Sequence, residues 1–163
     1  MRYRYPNIIS GTRGTGCYVE SWDQQQDDSQ PWDLHNSSKT QENFLWPSGL
    51  NNIPLKPGTD YTLYFWADRT DNMKSADAFV IDVDGGYVPL QMMTDFQIPA
   101  GGGYVSWTFR FSYEPNKSTR YGIRFDNNGS TDGKDSILRI RDVMLTEGTE
   151  PHAWAPAAGE VWP

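Results

Sequence analysis

The residue types that carry most enzyme chemistry are scarce in this chain. There is one cysteine, Cys17, and there are two histidines, His35 and His152. No HExxH, GxSxG, CxxC or phosphate-loop pattern occurs, so the usual zinc, serine-nucleophile, dithiol and nucleotide arrangements are missing. The glycine-rich GTRGTG at 11–16 opens no helical pattern and is not a dinucleotide fingerprint. A glycosidase needs two carboxylates set across a cleft, and the spacing of Asp68, Asp82 and Asp84 pairs none of them. No base near Cys17 in sequence activates its thiol, and a lone cysteine excludes an intrachain disulfide; Cys17 reads as a small strand residue. The chain therefore reads as non-catalytic.

Two acidic runs hold hard oxygen atoms of the kind that suit Ca²⁺. They are DVDGG, with Asp82 and Asp84, and DNNGSTDGKD, with Asp126, Asn128, Asp132 and Asp135. Neither fits the twelve-residue EF-hand loop. Turn formation is the simpler reading. No cofactor is expected, and a structural Ca²⁺ stays open.

What the chain does hold is rings. Aromatics make up 14% of it, with seven Trp and nine Tyr, which is more than a disordered chain carries. Sugar rings have apolar C–H faces that stack on aromatic rings, and hydroxyls that take forked polar partners. The segment DYTLYFWAD at 60–68 offers both. If it is a strand, Tyr61, Leu63, Phe65 and Ala67 share one side and Thr62, Tyr64, Trp66 and Asp68 the other. Leu63, Phe65 and Ala67 make the better core set. That leaves Tyr64, Trp66 and Asp68 as a solvated binding face. If the strands at 104–113 and 120–126 share that sheet, Arg110 and Arg124 join it. Trp22 and Trp32 flank a long polar run at 23–42 and are further candidates for ligand contact.

The elements that must position these residues are strands. Asn7–Thr12, Cys17–Trp22, Asn43–Trp46, Asp60–Asp68, Ala78–Val83, Tyr104–Tyr113, Arg120–Asp126 and Ile137–Leu145 read as strands, with Asp95–Ile98 as a short extra one. In Tyr104–Tyr113, Val105, Trp107, Phe109 and Phe111 alternate with Ser106, Thr108 and Arg110. No window shows helical period and no internal repeat appears. Eight or nine short strands separated by Gly/Pro turns give an all-β fold, an antiparallel sandwich or barrel with one face of each sheet in water. A length of 163 residues suits one domain. Trp154 and Trp162 fall in the Pro-rich tail, where docking the tail onto the domain, or a junction to a neighbouring domain, is the expected role.

The net charge of -7 disfavours nucleic acid and anionic membrane surfaces as partners. Uncharged sugars are indifferent to it. No run of 18 apolar residues is present, and the N-terminal MRYRYPNIIS has no apolar core of a signal peptide.

The run ILRIRDVMLTEGTEPHAWAPA at 137–157 resembles the closing block of modules in phage minor tail and baseplate proteins. The matching residues are Ile140, Arg141, Asp142, Val143, Leu145, Glu147, Gly148, Pro151, Trp154 and Pro156. NIISGT at 7–12 resembles their opening block, and LKPGTDYTLYFWAD their Pro-Gly turn into an aromatic strand. The family is similar to the jelly-roll carbohydrate-binding modules of xylanases and glucanases. That resemblance implies an antiparallel β-sandwich of the jelly-roll type over 1–157, with 158–163 as a C-terminal tail or linker. It implies glycan binding on a sheet face or at loop ends, as in modules inserted in distal tail proteins of phages of Gram-positive bacteria. The implied partners are host cell-surface polysaccharide and other phage tail proteins, and the implied location is the virion, acting outside the cell. The family's calcium-binding N-x-x-F-E block is replaced here by SGTRGTG. A structural tail or baseplate domain without a ligand of its own is the alternative.

Overall fold

A computed structural model describes residues 7–9, 12, 17–21, 26–47, 53–112 and 120–157. Nine strands appear among them: β1 (Cys17–Glu20), β2 (Asp33–Asn36), β3 (Asn43–Pro47), β4 (Thr59–Arg69), β5 (Ala76–Asp82), β6 (Val88–Met93), β7 (Gly103–Phe111), β8 (Tyr121–Asn127) and β9 (Ser136–Glu147). They form two antiparallel sheets, one ordered β1-β3-β8-β5-β6 and the other β2-β9-β4-β7. Almost every connection crosses from one sheet to the other; only β5 and β6 pair with each other as sequence neighbours. Hairpin signals are therefore few, and the sheets close through pairs such as β4 with β9 and β3 with β8.

The alternation read from β4 holds. Tyr61, Leu63, Phe65 and Ala67 are all fully buried, and Tyr64, Trp66 and Asp68 face outward. From the opposing sheet come Leu45, Ala78, Val80, Ile123 and Phe125. Phe65 meets Phe125 edge-on at 4.7 Å and Phe96 at 5.3 Å. Trp107 packs partly buried against the same core, tilted on Phe109 at 4.7 Å.

Four elements differ from the sequence reading. Among its described residues Asn7–Thr12 is no strand: Asn7 makes an isolated bridge to Ala157, and Ile8 and Ile9 bend away. The polar run at 23–42 contains β2, whose DLHN offers only Leu34 to the core. β6 was hidden because it is an edge strand with exposed Val88, Pro89 and Met92, and Pro89 is at home there because an edge residue need not donate to a ladder. Asp95–Ile98 is no strand; it is a turn that drops Phe96 into the core, with Asp95 at φ 47°.

The two ends of the chain are tied together by one side chain. Asn7 is buried, and its Nδ2 donates to the Val143 carbonyl at 2.7 Å. Its Oδ1 accepts from the amides of Leu145 at 2.9 Å and Ile9 at 3.2 Å. Its own amide donates to the Pro156 carbonyl at 3.1 Å. Trp154 docks through its indole N–H onto Thr12 Oγ1 at 2.7 Å, and the Ala155 amide lies 3.4 Å from Met144 Sδ. This is the tail docking expected for Trp154; Trp162 lies outside the described residues. A buried polar group left unpaired costs roughly 1–3 kcal/mol. Asn7→Ala strands the Val143 carbonyl and the Leu145 amide, so urea unfolding is expected to show a loss of at least about 2 kcal/mol.

Candidate functional site

The outer face of the four-stranded sheet carries most of the residues singled out from sequence. Tyr64 of β4 stacks on Tyr104 of β7 with centroids 4.8 Å apart and planes 14° from parallel. Trp66 is roofed by the loop before β7: a Cβ on Gly102 would sit 2.5 Å from its indole, so only glycine fits there. Asp68 takes Arg139 at 3.4 Å, Arg139 also reaches Asp33 at 3.7 Å, and Arg141 donates to Asp33 at 2.6 Å. Arg110 is on this sheet as expected, but it pairs with Asp60 at 3.4 Å. Its partner in the ladder is Asp60, whereas Trp66 faces Tyr104. Six residues of strand separate the two positions, about 20 Å, so Arg110 does not join Tyr64, Trp66 and Asp68. The face is a roofed indole, one exposed tyrosine and charges that satisfy one another.

Arg124 is elsewhere. β8 belongs to the five-stranded sheet, so Arg124 projects from the opposite face of the sandwich. The sequence cannot reveal this, because an alternating strand fits either sheet equally well. There Arg124 helps line a groove of about 280 Å³ with Tyr18, Glu20, Phe44, Trp46 and Tyr87. β1 supplies Tyr18 and Glu20, and β3 supplies Phe44 and Trp46 in register with them. The turn after β5 supplies Tyr87. Trp46 is buried, meets Tyr87 edge-on at 6.2 Å and donates its indole N–H to Glu20 Oε1 at 2.9 Å. It lies over Gly122, where a Cβ would come within 2.9 Å of its ring. Tyr18 and Tyr87 are each 47% exposed. The guanidinium of Arg124 sits 4.1 Å from the Phe44 centroid and 4.8 Å from that of Phe79, and forks onto Asp126 at 2.7 and 3.0 Å. Tyr18, Phe44 and Tyr87 were not singled out from sequence; CYVE and NFLWP are too short for an outward phase to be read, and Tyr87 lies in a turn.

Trp32 is a core residue, 6% exposed, rather than a free ring. Its edge borders a second pocket of about 310 Å³ with Thr12, Ser29, Gln30, Pro31, Arg141 and Asp142. Trp22 lies outside the described residues. Cys17 donates its thiol to the Pro31 carbonyl at 3.3 Å, and burial pushes that thiol up to about 12; this is an inert strand residue.

The acidic runs are spent on turns and pairs. Asp82 accepts the Gly85 amide at 2.9 Å and Asp84 pairs with Arg120 at 2.7 Å. Asn128 donates to Asp77 at 2.8 Å. Asp132 accepts from Asn72, Lys134 and Ser130, which hold its carboxyl down to about 2. Asp135 takes His35 Nδ1 at 2.7 Å. Among the described residues no group of three or more His, Cys, Asp or Glu side chains is set to hold a metal ion.

No family model matches the chain, and no curated protein matches it by sequence. Solved structures do. A CBM4 carbohydrate-binding module superposes with a TM-score of 0.60 at 18% identity, covering 82% of this chain and 95% of its own. The fold is that of a carbohydrate-binding-module jelly roll. The tripod (BppUct-A-L) from the baseplate of bacteriophage Tuc2009 superposes with a TM-score of 0.60 at 14% identity, covering 98% of this chain and 61% of its own. At such identities the likeness is one of fold. Within this jelly roll the aromatic groove and the roofed Trp66 lie on opposite outer faces.

Burial pushes the Asp126 carboxyl up to about 7, against the pull of Arg124 and with the help of Asp77 and Glu42. In the unfolded chain it titrates near 3.9. The folded state thus holds this proton more tightly. The stability it contributes is fully present below about pH 4 and is lost as pH rises through about 7. Between pH 8 and pH 5 the denaturation midpoint of the native protein is expected to rise relative to that of Asp126→Asn, which lacks this titration.

Proposed function

We propose that this chain is a non-catalytic glycan-binding module, and that the groove on the five-stranded sheet holds the saccharide. The observation that carries this reading is the pair of exposed tyrosines, Tyr18 and Tyr87, flanking the edge of Trp46 above the Arg124 guanidinium and Glu20. Rings of this kind stack on the C–H faces of a sugar. The remaining N–H groups of Arg124 and the carboxylate of Glu20 serve its hydroxyls. Tyr87 adds a second reason. Its φ is 61°, a left-handed conformation that costs a residue other than glycine about 1–3 kcal/mol and tends to be kept where function needs it.

Hydrolysis fits the groove poorly. Glu20 is the carboxylate that lines it, and the neighbouring Asp126 is 3% exposed and forked by Arg124, so no second carboxylate among the lining residues faces Glu20. Each stacking or hydrogen-bonding contact exchanges with water and is worth only about 1 kcal/mol net. Weak single-site binding multiplied by copy number is the regime such a module works in. The likeness to a phage baseplate protein over 98% of this chain supports a virion setting. In that setting, 1–157 is the module, 158–163 its tail or linker, cell-wall polysaccharide of a Gram-positive host its ligand, and other tail proteins its neighbours. A structural baseplate domain is the second reading. It is favoured by the exposed apolar side chains of the edge strand β6, Val88 and Met92, 49% and 52% exposed.

Labelling of intact Gram-positive cells with fluorescently tagged protein, with and without soluble cell-wall polysaccharide, tests the choice. Labelling is expected to be removed by the polysaccharide, reduced at least about tenfold by Tyr18→Ala, and kept by Tyr104→Ala on the opposite face. Tyr87→Gly is expected to abolish labelling without lowering the melting temperature, because glycine relieves the left-handed strain. Labelling unaffected by competitor, or no labelling across a broad strain panel, would favour the structural role.

A further inference from the structure

Arg124 is held in the groove by an unusual partner. Asp126, two residues along the same strand, shares the outward phase of β8 and forks the guanidinium through Nε and Nη2 at 2.7 and 3.0 Å. The side chains of Arg124 and Asp126 are only 12% and 4% exposed. The ring centroids of Phe44, Phe79 and Trp46 lie 4.1, 4.8 and 5.7 Å from the guanidinium carbon. A guanidinium has five N–H donors. The fork consumes two of them. Because Arg124 lines the groove, the donors Asp126 does not use are the ones a ligand meets.

We propose that Asp126 is a positioning residue for this groove: its carboxylate holds Arg124 in the orientation that serves an uncharged glycan, and its protonation releases Arg124 and weakens that binding. The inference rests on the glycan-binding reading of the groove. A protonated carboxyl keeps an acceptor for only part of the fork and offers an O–H that a guanidinium cannot accept.

Burial makes the protonation of Asp126 accessible near neutrality, and the like charges around it add to this. Asp77 of β5 stands directly opposite it in the ladder, and Glu42, just before β3, adds a second like charge. Glu20 of β1 shares the groove, and Arg124 is the cation that opposes them. Burial and these like charges favour the neutral acid, and its carboxyl titrates near 7. Above that pH the pair is ionised and the fork is closed. Below it the fork opens.

The test has two arms on the full chain. Affinity electrophoresis at pH 8, 7 and 5.5 uses barley β-glucan and a phosphate-free polysaccharide extracted from Gram-positive cell walls. Retardation is expected to fall at least about threefold from pH 8 to 5.5. Asp126→Asn is expected to bind weakly at every pH with no slope, and Asp126→Glu to restore both binding and slope. The second arm needs no ligand. In ¹⁵N-resolved spectra the Arg124 Nε and Nε–H chemical shifts are expected to move between pH 8 and pH 5.5, following the ¹³C titration of the Asp126 carboxyl. Native binding that is flat with pH, or an Arg124 signal that ignores the Asp126 titration, would overturn the positioning role while leaving the glycan reading standing. Binding of neither polysaccharide at any pH, with the Arg124 signal behaving as expected, would instead overturn the glycan reading and with it the role of Asp126 in it.

Discussion

The contact between Phe65 of β4 and Phe125 of β8, 4.7 Å across the sandwich, fixes what each sheet shows to water. Both rings are fully buried. Side chains alternate strictly along a strand, so Phe125 inward puts Arg124 and Asp126 outward on one face. Phe65 inward puts Tyr64 and Trp66 outward on the other. The two aromatic and charged sets that sequence reading combined are thereby held on opposite surfaces of the same core. Slipping either strand by one residue would bury a charge and expose a phenylalanine, which is why the register is tightly specified.

The strand register shifts at two places, between Val80 and Ile81 where β5 meets β6 and again where β4 meets β9, and the second shift is used. In β9, Leu138 and Ile140 point inward, then Arg141 and Asp142 intervene before Val143 and Leu145 resume. The register against β4 shifts between Tyr64 and Trp66, and Asp142 takes φ 53°. The bulge keeps Arg141 outward where Asp33 can pair with it, and lets Val143 and Leu145 offer backbone groups to Asn7. The opening and closing blocks of the sequence are linked through that asparagine. Their pairing in sequence therefore marks an architectural joint.

Strand content and core phase were legible in the sequence because β4, β7 and β8 carry clean two-residue alternation. DYTLYFWAD put Leu63, Phe65 and Ala67 inside and Tyr64 outside, as observed. β2 and β6 were illegible for opposite reasons: DLHN is too polar to look like a strand, and VPLQMM is an exposed edge with a proline in it. The site was harder still. Which sheet a strand joins is decided by long-range pairing, and here nearly every connection crosses the sandwich. Arg124 could thus be recognised as outward but not assigned to a face. Tyr18 and Tyr87 come from a four-residue strand and a turn, where no periodicity is long enough to count. Trp66 looked exposed because its glycine roof comes from the PAGGG loop some 35 residues away in sequence, a contact no local pattern encodes.

The central claim is that saccharide occupies the five-stranded face and leaves the four-stranded face untouched. The most direct measurement is chemical-shift mapping of the isotope-labelled chain during titration with oligosaccharides prepared from Gram-positive cell-wall polysaccharide. This account predicts shifts at the Trp46 indole N–H, the Tyr18 and Tyr87 rings and the Arg124 side chain, with Tyr64, Trp66 and Tyr104 unmoved. Shifts confined to Tyr64, Trp66 and Tyr104 would contradict it and move the site to the other side of the sandwich.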